Sequence, residues 1–230
     1  MKISIIIPTY NEEEHLAKLL DTIRQNAKPD TLQEVIVCDG GSQDRTLEIA
    51  REAGVRVLES PRKGRSAQMN YAAEQAGGEV LHFIHADCLP PKDFTWWILY
   101  KLRPGVQAGC FMSKFDLPHW FLRLGNYFSF LPFWFCRGGG QTLFITADLF
   151  QKLGGYDESM VLMEEYDLIA RIKEHTRFRV IRRFVITSAR DYRVNGPMRL
   201  QLTYIRVFKM YSRGATQQEM IDFVKSRVRK

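Results

Sequence analysis

A histidine and an aspartate stand two residues apart at the end of an apolar run. His85 and Asp87 follow residues 80–84, and a run of this length is typical of a strand buried in a parallel sheet. In open α/β sheets, ligands bind outside the carboxyl ends of such strands. An imidazole nitrogen and a carboxylate oxygen can bind a divalent cation, and the cation can hold a phosphate. The pair can equally be a polar strand end that hydrogen-bonds to a loop, and one spacing does not decide between these interpretations.

A carboxylate and a basic loop also follow predicted strands. Asp39 comes after the apolar residues 35–38 and begins Asp-Gly-Gly-Ser, a sequence typical of a turn. At a strand end, its carboxylate can also bind a base or a ribose. Arg62, Lys63 and Arg65 form either a solvated basic loop or a group that neutralises phosphate. Several such positions at one sheet edge favour a binding site over isolated turns.

Three carboxylates open a predicted helix in the second half of the chain. Glu164, Glu165 and Asp167 are well placed to interact with the helix dipole. One of them can instead be a general base that removes a proton from an acceptor hydroxyl. The apolar residues 160–163 could desolvate such a carboxylate and raise its pKa. The glycines at 138–140 either let backbone approach a ligand closely or form a turn.

The spacing of apolar residues predicts the elements that position these groups. The first ninety or so residues predict strands at 3–7, 35–38, 55–58 and 80–84, alternating with helices that follow Asn11, at 45–53 and at 67–76. Asn11 and Asp44 are predicted to cap the first two helices. The second half predicts helices at 90–102, 148–153 and from 164, strands at 108–112, 141–146 and 178–187, and amphipathic helix over the last thirty or so residues. This alternation predicts an α/β fold with a mostly parallel sheet covered on both faces.

Composition limits the class of protein and its partners. The 230 residues are 45% hydrophobic and 26% charged, as in a globular protein, and the net charge of +7 suits an anionic partner. Four scattered cysteines form no CxxC pair, and no signal-peptide pattern precedes the first strand, so we expect a cytoplasmic protein with reduced thiols. The basic residues 225–230 are either a solvated, frayed terminus or a segment attracted to a membrane surface. The aromatic residues 119–135 are too few for a membrane span and form either core or an interfacial or acceptor-binding surface.

Six segments of the chain together resemble family 2 glycosyltransferases with the GT-A fold. They occur in the family's order from residue 3 to about residue 168, and their ensemble is specific although no single segment is. The segments are SIIIPTYNEE, VIVCDGGSQDRT, GRSAQMNYAA, HFIHADCLPP, GGGQTLFITADLFQKLGGYDE and MEEYDL. The HADC form resembles a bacterial subgroup of small members.

The resemblance implies a role for each matching residue. The residues implied to bind the nucleotide sugar are Pro8, Thr9, Tyr10, Glu12, Asp39, Arg65, His85, Ala86 and Asp87. Asp39 would accept a hydrogen bond from the base, commonly uracil, and Asp87 matches the last acidic residue of the family's metal-binding DxD motif. Glu165 matches the carboxylate usually assigned as the catalytic base, with Glu164 and Asp167 beside it. The residues implied to border the acceptor are Gly139, Gly140 and Gln141.

Two positions depart from the family's usual residues. His85 replaces the first carboxylate of DxD, and as a softer, neutral metal ligand beside Asp87 it favours Mn²⁺ over Mg²⁺. It can also mean weak or indirect contact with the metal. Glu165 is one methylene longer than the usual aspartate, which keeps the chemistry and changes its reach.

The function that the resemblance implies is inverting sugar transfer assisted by a divalent cation. The metal and basic groups would stabilise the departing nucleoside diphosphate while Glu165 deprotonates an acceptor hydroxyl. The implied donor is a UDP-sugar, and the implied acceptor is a carbohydrate or a lipid-linked molecule, with peripheral contact at the inner face of the membrane as a further expectation. We expect one domain over 1–230, with a Rossmann-like nucleotide-binding half (1–89), an acceptor half (90–195) and a C-terminal helical tail (196–230).

Three other functions compete with this one. A catalytically weak or inactive GT-A protein that binds nucleotide sugar or carbohydrate is suggested by His85. A dinucleotide-binding oxidoreductase is disfavoured because no GxGxxG follows the first strand. A nucleic-acid binder is disfavoured because the chain has no dedicated motif and 26 acidic residues offset its 33 basic ones.

Overall fold

The computed structural model describes residues 1–120, 122 and 142–229, and their strands form one eight-stranded sheet. The strands are β1 (Ile3–Thr9), β2 (Leu32–Asp39), β3 (Arg56–Glu59), β4 (Val80–Phe83), β5 (Cys88–Leu89), β6 (Ala108–Phe115), β7 (Leu143–Thr146) and β8 (Phe178–Thr187). The described helices are α1 (Glu13–Asn26), α2 (Thr46–Glu52), α3 (Arg65–Glu74), α4 (Phe94–Lys101), α5 (Ala147–Lys152), α6 (Glu164–His175), α7 (Arg190–Asn195), α8 (Pro197–Ser212) and α9 (Gln217–Arg227), with a 3-10 helix at Pro29–Thr31.

The strand order places most carboxyl ends at one edge. The order is β3-β2-β1-β4-β7-β6-β8-β5, and β1 pairs in parallel with both β2 and β4. Strand β7 is antiparallel to β4 and β6, while β6 and β8 are parallel to each other. Six of the eight described strands therefore run in the same direction, and β5 and β7 run against them. The predicted α/β class with a mostly parallel sheet is confirmed.

Strand β1 shows how the sequence produces a sheet covered on both faces. All seven of its residues are buried, and its β-branched isoleucines suit a pleated surface. Ile5 and Ile7 belong to the same apolar cluster as Leu19 of α1. Ile6 points to the opposite face and belongs to the cluster of Met69 of α3. Helices therefore cover the sheet on both sides, and polar groups of the central strands can emerge only at the strand ends.

The two predicted helix caps are wrong. Asn11 has a positive φ of 54°, and the residue that precedes α1 is Glu12. Helix α2 is preceded by Arg45, and Asp44 accepts a hydrogen bond from the Thr46 backbone without being the cap residue. Both side chains instead form hydrogen bonds between the loops that follow β1 and β2. The helix predicted from residue 90 begins four residues later, after Asp93, whose φ is also positive at 58°.

The C-terminal helices pack onto the end of the sheet. Tyr192 and Leu200 form a small apolar cluster that also includes Val228. Asn195 is buried, and its side-chain amide exchanges two hydrogen bonds with the backbone of Arg229, at 2.7 and 2.9 Å. The terminus is therefore anchored through its backbone as far as Arg229 and is not frayed there, while the side chains of Lys225, Arg227 and Arg229 are exposed to solvent.

Two of the expectations from the sequence concern contact with a membrane. Most of the aromatic segment 119–135 lies outside the described residues; at its start Trp120 is 64% exposed and Leu122 is buried. Among the helices of the described ranges, none combines the length and the apolar content that crossing a bilayer requires.

Candidate functional site

Asp39 ends β2 at the carboxyl edge of the sheet and is 1% exposed. Its Oδ1 accepts hydrogen bonds from the hydroxyls of Thr9 (3.0 Å) and Ser42 (2.5 Å). Its Oδ2 accepts from the backbone N–H groups of Gly41 (2.8 Å) and Ser42 (2.7 Å). Four donors fill the acceptor positions of an ionised carboxylate. Asp39 thus organises a turn, and a base could bind it only by replacing one of these donors.

The loops that follow β1 and β2 are tied together by side chains. The Asn11 backbone N–H donates to the Ser42 hydroxyl, and the Asn11 side-chain oxygen accepts from the Gln43 backbone, both at 2.8 Å. The Glu13 backbone donates to Asp44 at 3.1 Å. These reciprocal bonds fix the relative position of the two strand ends, where Tyr10 remains 60% exposed.

The side chain of Gln68 links the ends of β1 and β2. Its side chain is buried, and its amide nitrogen donates to the carbonyl oxygens of Thr9 (2.6 Å) and Cys38 (2.9 Å). Gly40 lies beside it, and a Cβ there would lie 2.9 Å from the Gln68 amide nitrogen, so a larger residue would displace this side chain. Sequence reasoning missed this residue, although a glutamine within the apolar part of a predicted helix was a signal.

Glu12 is joined to the C-terminal part of the chain by Arg190 at the start of α7. The two side chains form a bidentate ion pair, with Nη1–Oε2 at 3.0 Å and Nη2–Oε1 at 2.9 Å. Glu12 raises the pKa of Arg190, and Asp87 adds to this rise. The sequence prediction omitted Arg190, although it follows a predicted strand at the same sheet edge. The site therefore includes a cation contributed from 178 residues away.

His85 and Glu165 lie together beyond the end of β4. His85 Nε2 is 3.0 Å from Glu165 Oε1, and the side chains are only 16% and 13% exposed. Burial alone would raise the pKa of Glu165, but the hydrogen bond and charge interactions with His85, aided by Arg65, lower it below its ordinary value of 4.5. Glu165 is therefore held as a carboxylate, and the expectation that apolar neighbours raise its pKa is wrong for this residue.

Glu164 has the opposite environment. It is 5% exposed, and its Oε1 accepts a hydrogen bond from Arg65 Nη1 at 3.1 Å. Burial raises the pKa of Glu164, and although Arg65 opposes this effect, the pKa remains above 4.5. Burial would lower the pKa of Arg65, but Glu164, Glu165 and Asp87 together raise it. Two adjacent carboxylates thus have pKa values displaced in opposite directions.

Asp87 is the carboxylate at this edge that is available for a cation. Its Oδ1 accepts from the Cys88 thiol at 3.3 Å, and no stronger donor engages it among the described residues. His85 directs Nε2 at Glu165 instead. Within residues 1–120, 122 and 142–229, no group of three or more His, Cys, Asp or Glu could hold a metal ion. A cation here would take Asp87 and complete its coordination with oxygens of a bound ligand.

Asp167 does not join the other two carboxylates. Its Oδ2 accepts from Arg171 Nε (2.8 Å) and Nη2 (2.6 Å), one helical turn along α6. Arg171 also donates to the carbonyl oxygens of Leu153 and Gly155. Asp167 therefore anchors α6 to the turn after α5, which leaves Glu164 and Glu165 as the carboxylates that α6 contributes to the site.

The loop before α6 is held by a residue of α9. Met163 has a positive φ of 69°, a conformation that costs a non-glycine residue of the order of 1–3 kcal/mol. The Gln217 side chain accepts from the backbone N–H groups of Val161 and Leu162, each at 3.0 Å, and donates to the Leu162 carbonyl at 3.1 Å. Helix α9 thereby stabilises the backbone that presents Glu165, a role that the sequence prediction missed.

Five other predicted site residues are either buried or outside the described residues. Pro8 and Ala86 are buried next to the polar strand ends, so only their backbones can border a ligand. Gly139, Gly140 and Gln141 lie outside the described residues.

The sheet and its flanking helices have the GT-A fold. The mannosyltransferase PcManGT from Pyrobaculum calidifontis, solved with GDP-Man and Mn²⁺, aligns with a TM-score of 0.64 and 22% identity over 80% of this chain and 56% of its own. S. aureus TarS 1–349, solved with UDP-GlcNAc, aligns with a TM-score of 0.66 and 19% identity over 82% of this chain and 58% of its own.

The sequence is also similar to one glycosyltransferase family over part of its length. Residues 4–102 match the family described as Glycosyl transferase family 2. Glycosyltransferase AglE of Haloferax volcanii is 38% identical over 94 residues, which are 38% of this chain and 31% of AglE. The chain spans less than two thirds of the length of each of these three proteins. Residues 4–102 are therefore similar to family 2 glycosyltransferases.

Proposed function

We propose that the protein is an inverting glycosyltransferase that moves a sugar from a UDP-sugar to the hydroxyl of a carbohydrate or lipid-linked acceptor. The observation that carries this proposal is the pairing of an ionised Glu165 with His85, beside the carboxylate of Asp87, whose one side-chain donor among the described residues is the Cys88 thiol. GDP-Man and UDP-GlcNAc are bound by the two structural neighbours, which supports a nucleotide-sugar donor.

Glu165 is the proposed base. Its Oε1 is engaged by His85, and Oε2 has no donor among the described residues, so Oε2 can accept the proton of the acceptor hydroxyl. The acceptor oxygen then attacks the anomeric carbon, and the bond from that carbon to the diphosphate oxygen breaks on the opposite face. The electron pair of this bond stays on the departing nucleoside diphosphate. His85 acts by orienting Glu165, which is a different role from metal ligation.

Charges at the same edge can stabilise the departing diphosphate. Arg65 and Arg190 are 54% and 45% exposed, so both guanidinium groups can reach a bound phosphate while keeping their carboxylate partners. Asp87 is the residue that would hold a divalent cation, with Mn²⁺ proposed because the neighbour PcManGT is solved with it. Such a cation would neutralise charge that develops on the diphosphate.

The test is a transfer assay over a panel of nucleotide sugars, chosen by thermal shift with and without Mn²⁺, because a ligand of the native state raises its stability. We expect Glu165→Gln to lose at least about 100-fold in turnover while it still binds the donor. Asp87→Ala should lose both binding and turnover. The matched control is Glu174→Gln, an exposed residue of the same helix, which should retain turnover.

Two results would contradict the proposal. Full turnover by Glu165→Gln would exclude it as the base. Donor binding by the wild-type protein, without transfer to any acceptor or hydrolysis, would favour the nucleotide-sugar-binding protein that the His85 replacement suggests.

A further inference from the structure

The outward face of α8 carries an apolar stripe. Met198, Leu202 and Ile205 follow the spacing i, i+4, i+7 and are 57%, 62% and 44% exposed. The inward face is separately occupied, since Leu200 and Val207 are buried. The helix therefore has one apolar face in the protein and a second apolar face in contact with solvent. Three adjacent large apolar side chains on a surface helix mark an interaction surface more than scattered ones do.

The net positive charge of the chain comes from this C-terminal region. Ten of the 33 basic residues but only three of the 26 acidic ones lie in residues 190–230. This region therefore carries a net charge of +7, equal to that of the whole chain, while residues 1–189 carry 23 charges of each sign. Helix α8 itself contains Arg199, Arg206 and Lys209 and no acidic residue. The apolar stripe is thus set within a strongly cationic surface.

We propose that the outward face of α8 binds the surface of an anionic lipid bilayer. A helix lying in the plane of the interface inserts its apolar side chains at the acyl boundary, and flanking arginines contact anionic head groups. A nucleic acid would match the charge and leave Met198, Leu202 and Ile205 without apolar partners. A second copy meeting through the same face would bring two regions of charge +7 together, which is unfavourable.

This surface adjoins the candidate site without being part of it. Tyr204 of α8 lies close enough to Arg65 for that guanidinium to oppose the burial-driven rise in the Tyr204 pKa. Helix α9, which packs against α8, holds the loop before Glu165 through Gln217. A bilayer bound to α8 would therefore hold the sheet edge close to lipid, where lipid-linked acceptors are found. The binding proposal stands without the proposed transferase activity.

The experiment is cosedimentation of the full chain with vesicles of phosphatidylcholine alone or mixed with phosphatidylserine. We expect binding to the mixed vesicles that weakens as salt is added and little binding to phosphatidylcholine alone. Arg199→Gln/Arg206→Gln should weaken binding about thirtyfold, at about one kcal/mol for each basic residue. Leu202→Ser/Ile205→Ser should weaken it at least about tenfold.

Matched controls separate this surface from general charge and apolarity. Arg24→Gln/Arg51→Gln removes two exposed arginines from α1 and α2, and Tyr100→Ser removes a 62% exposed ring from α4; both should bind as the wild type does. Circular dichroism confirms that each variant is folded. Equal binding to both vesicle types, no binding, or unchanged binding by both α8 variants would overturn the proposal. A dimer that dissociates in the α8 apolar variant without vesicles would overturn it in favour of a second copy.

Discussion

Removing the charge of Glu164 and of Glu165 should change the stability of the protein in opposite directions. The two residues are adjacent on α6, both are mostly buried, and Glu→Gln changes their shape little. Glu165→Gln is expected to destabilise the fold because its pKa is lowered by contacts with His85 that outweigh burial. Glu164→Gln is expected to stabilise it because burial keeps the pKa of Glu164 raised despite Arg65.

The contacts of each residue set the size of these effects. The His85–Glu165 hydrogen bond is 3.0 Å long between groups that are 16% and 13% exposed. A hydrogen bond to a charged group contributes about 1.5–3 kcal/mol and a neutral one about half as much, so Glu165→Gln should lose about 0.8–1.5 kcal/mol. Arg65 is 54% exposed, and solvent screening limits its ion pair with Glu164 to about 1 kcal/mol or less. Relief of carboxylate burial should therefore leave Glu164→Gln about 0.5–1 kcal/mol more stable.

The two effects should also depend on pH in different ways. A carboxylate with a lowered pKa contributes stability that is fully present above 4.5 and is lost as the pH falls through the lowered value. A carboxylate with a raised pKa has the reverse effect, so its destabilisation appears as the pH rises above 4.5. The loss in Glu165→Gln should thus persist at about pH 5, where the gain in Glu164→Gln becomes smaller than at about pH 7.

Urea unfolding of the wild type and both variants at these two pH values measures the differences, with the midpoint and slope fitted for each protein. The reasoning is refuted if both variants are destabilised by similar amounts at neutral pH. It is also refuted if the gain in Glu164→Gln is the same at both pH values, because the gain would then have no connection with ionisation.

Two further variants test contacts that the C-terminal helices make. Arg190→Met should weaken donor binding about tenfold or more by calorimetry, because a charge-assisted contact is lost, while Arg193→Met on the same helix should bind normally; equal loss in both would exclude a specific role for Arg190. Gln217→Ala removes three hydrogen bonds and should cost about 1–2 kcal/mol in urea unfolding, with partial replacement by water, and it should also lower turnover. Gln218→Ala is its control, and an equal effect there would contradict the bracing role of Gln217.

The central strands could be predicted because their sequence signal is local. The strand predicted at 178–187 occurs at those residues, and β1, β2 and β4 occur at apolar runs that the sequence marks clearly. The antiparallel insertion of β7 between β4 and β6 could not be predicted, since pairing between distant segments leaves no periodic pattern. The caps assigned to Asn11 and Asp44 failed because both side chains bond to a loop from the neighbouring strand instead.

The residues of the candidate site could likewise be predicted only where the sequence signal is local. Asp39, His85 and Asp87 could be predicted because each follows a parallel strand whose carboxyl end lies at the shared edge. Arg190, the partner of Glu12, is 178 residues away in the sequence. Gln217, which binds the loop before α6, is 55 or more residues away from it, so no spacing indicated either contact. Arg190 was nevertheless within reach of the strand-end rule, because it comes three residues after β8.

The departure at position 85 and the acidic pair on α6 explain each other. A carboxylate at position 85 would add a negative charge near Glu165 and the buried Glu164. Like charges near each other raise the pKa of at least one of them. Histidine instead keeps Glu165 ionised and fixes its direction, while Asp87 stays free for a cation. We therefore infer that His85 orients the proposed base Glu165, and His85→Asp should lower turnover in the transfer assay both with and without added Mn²⁺.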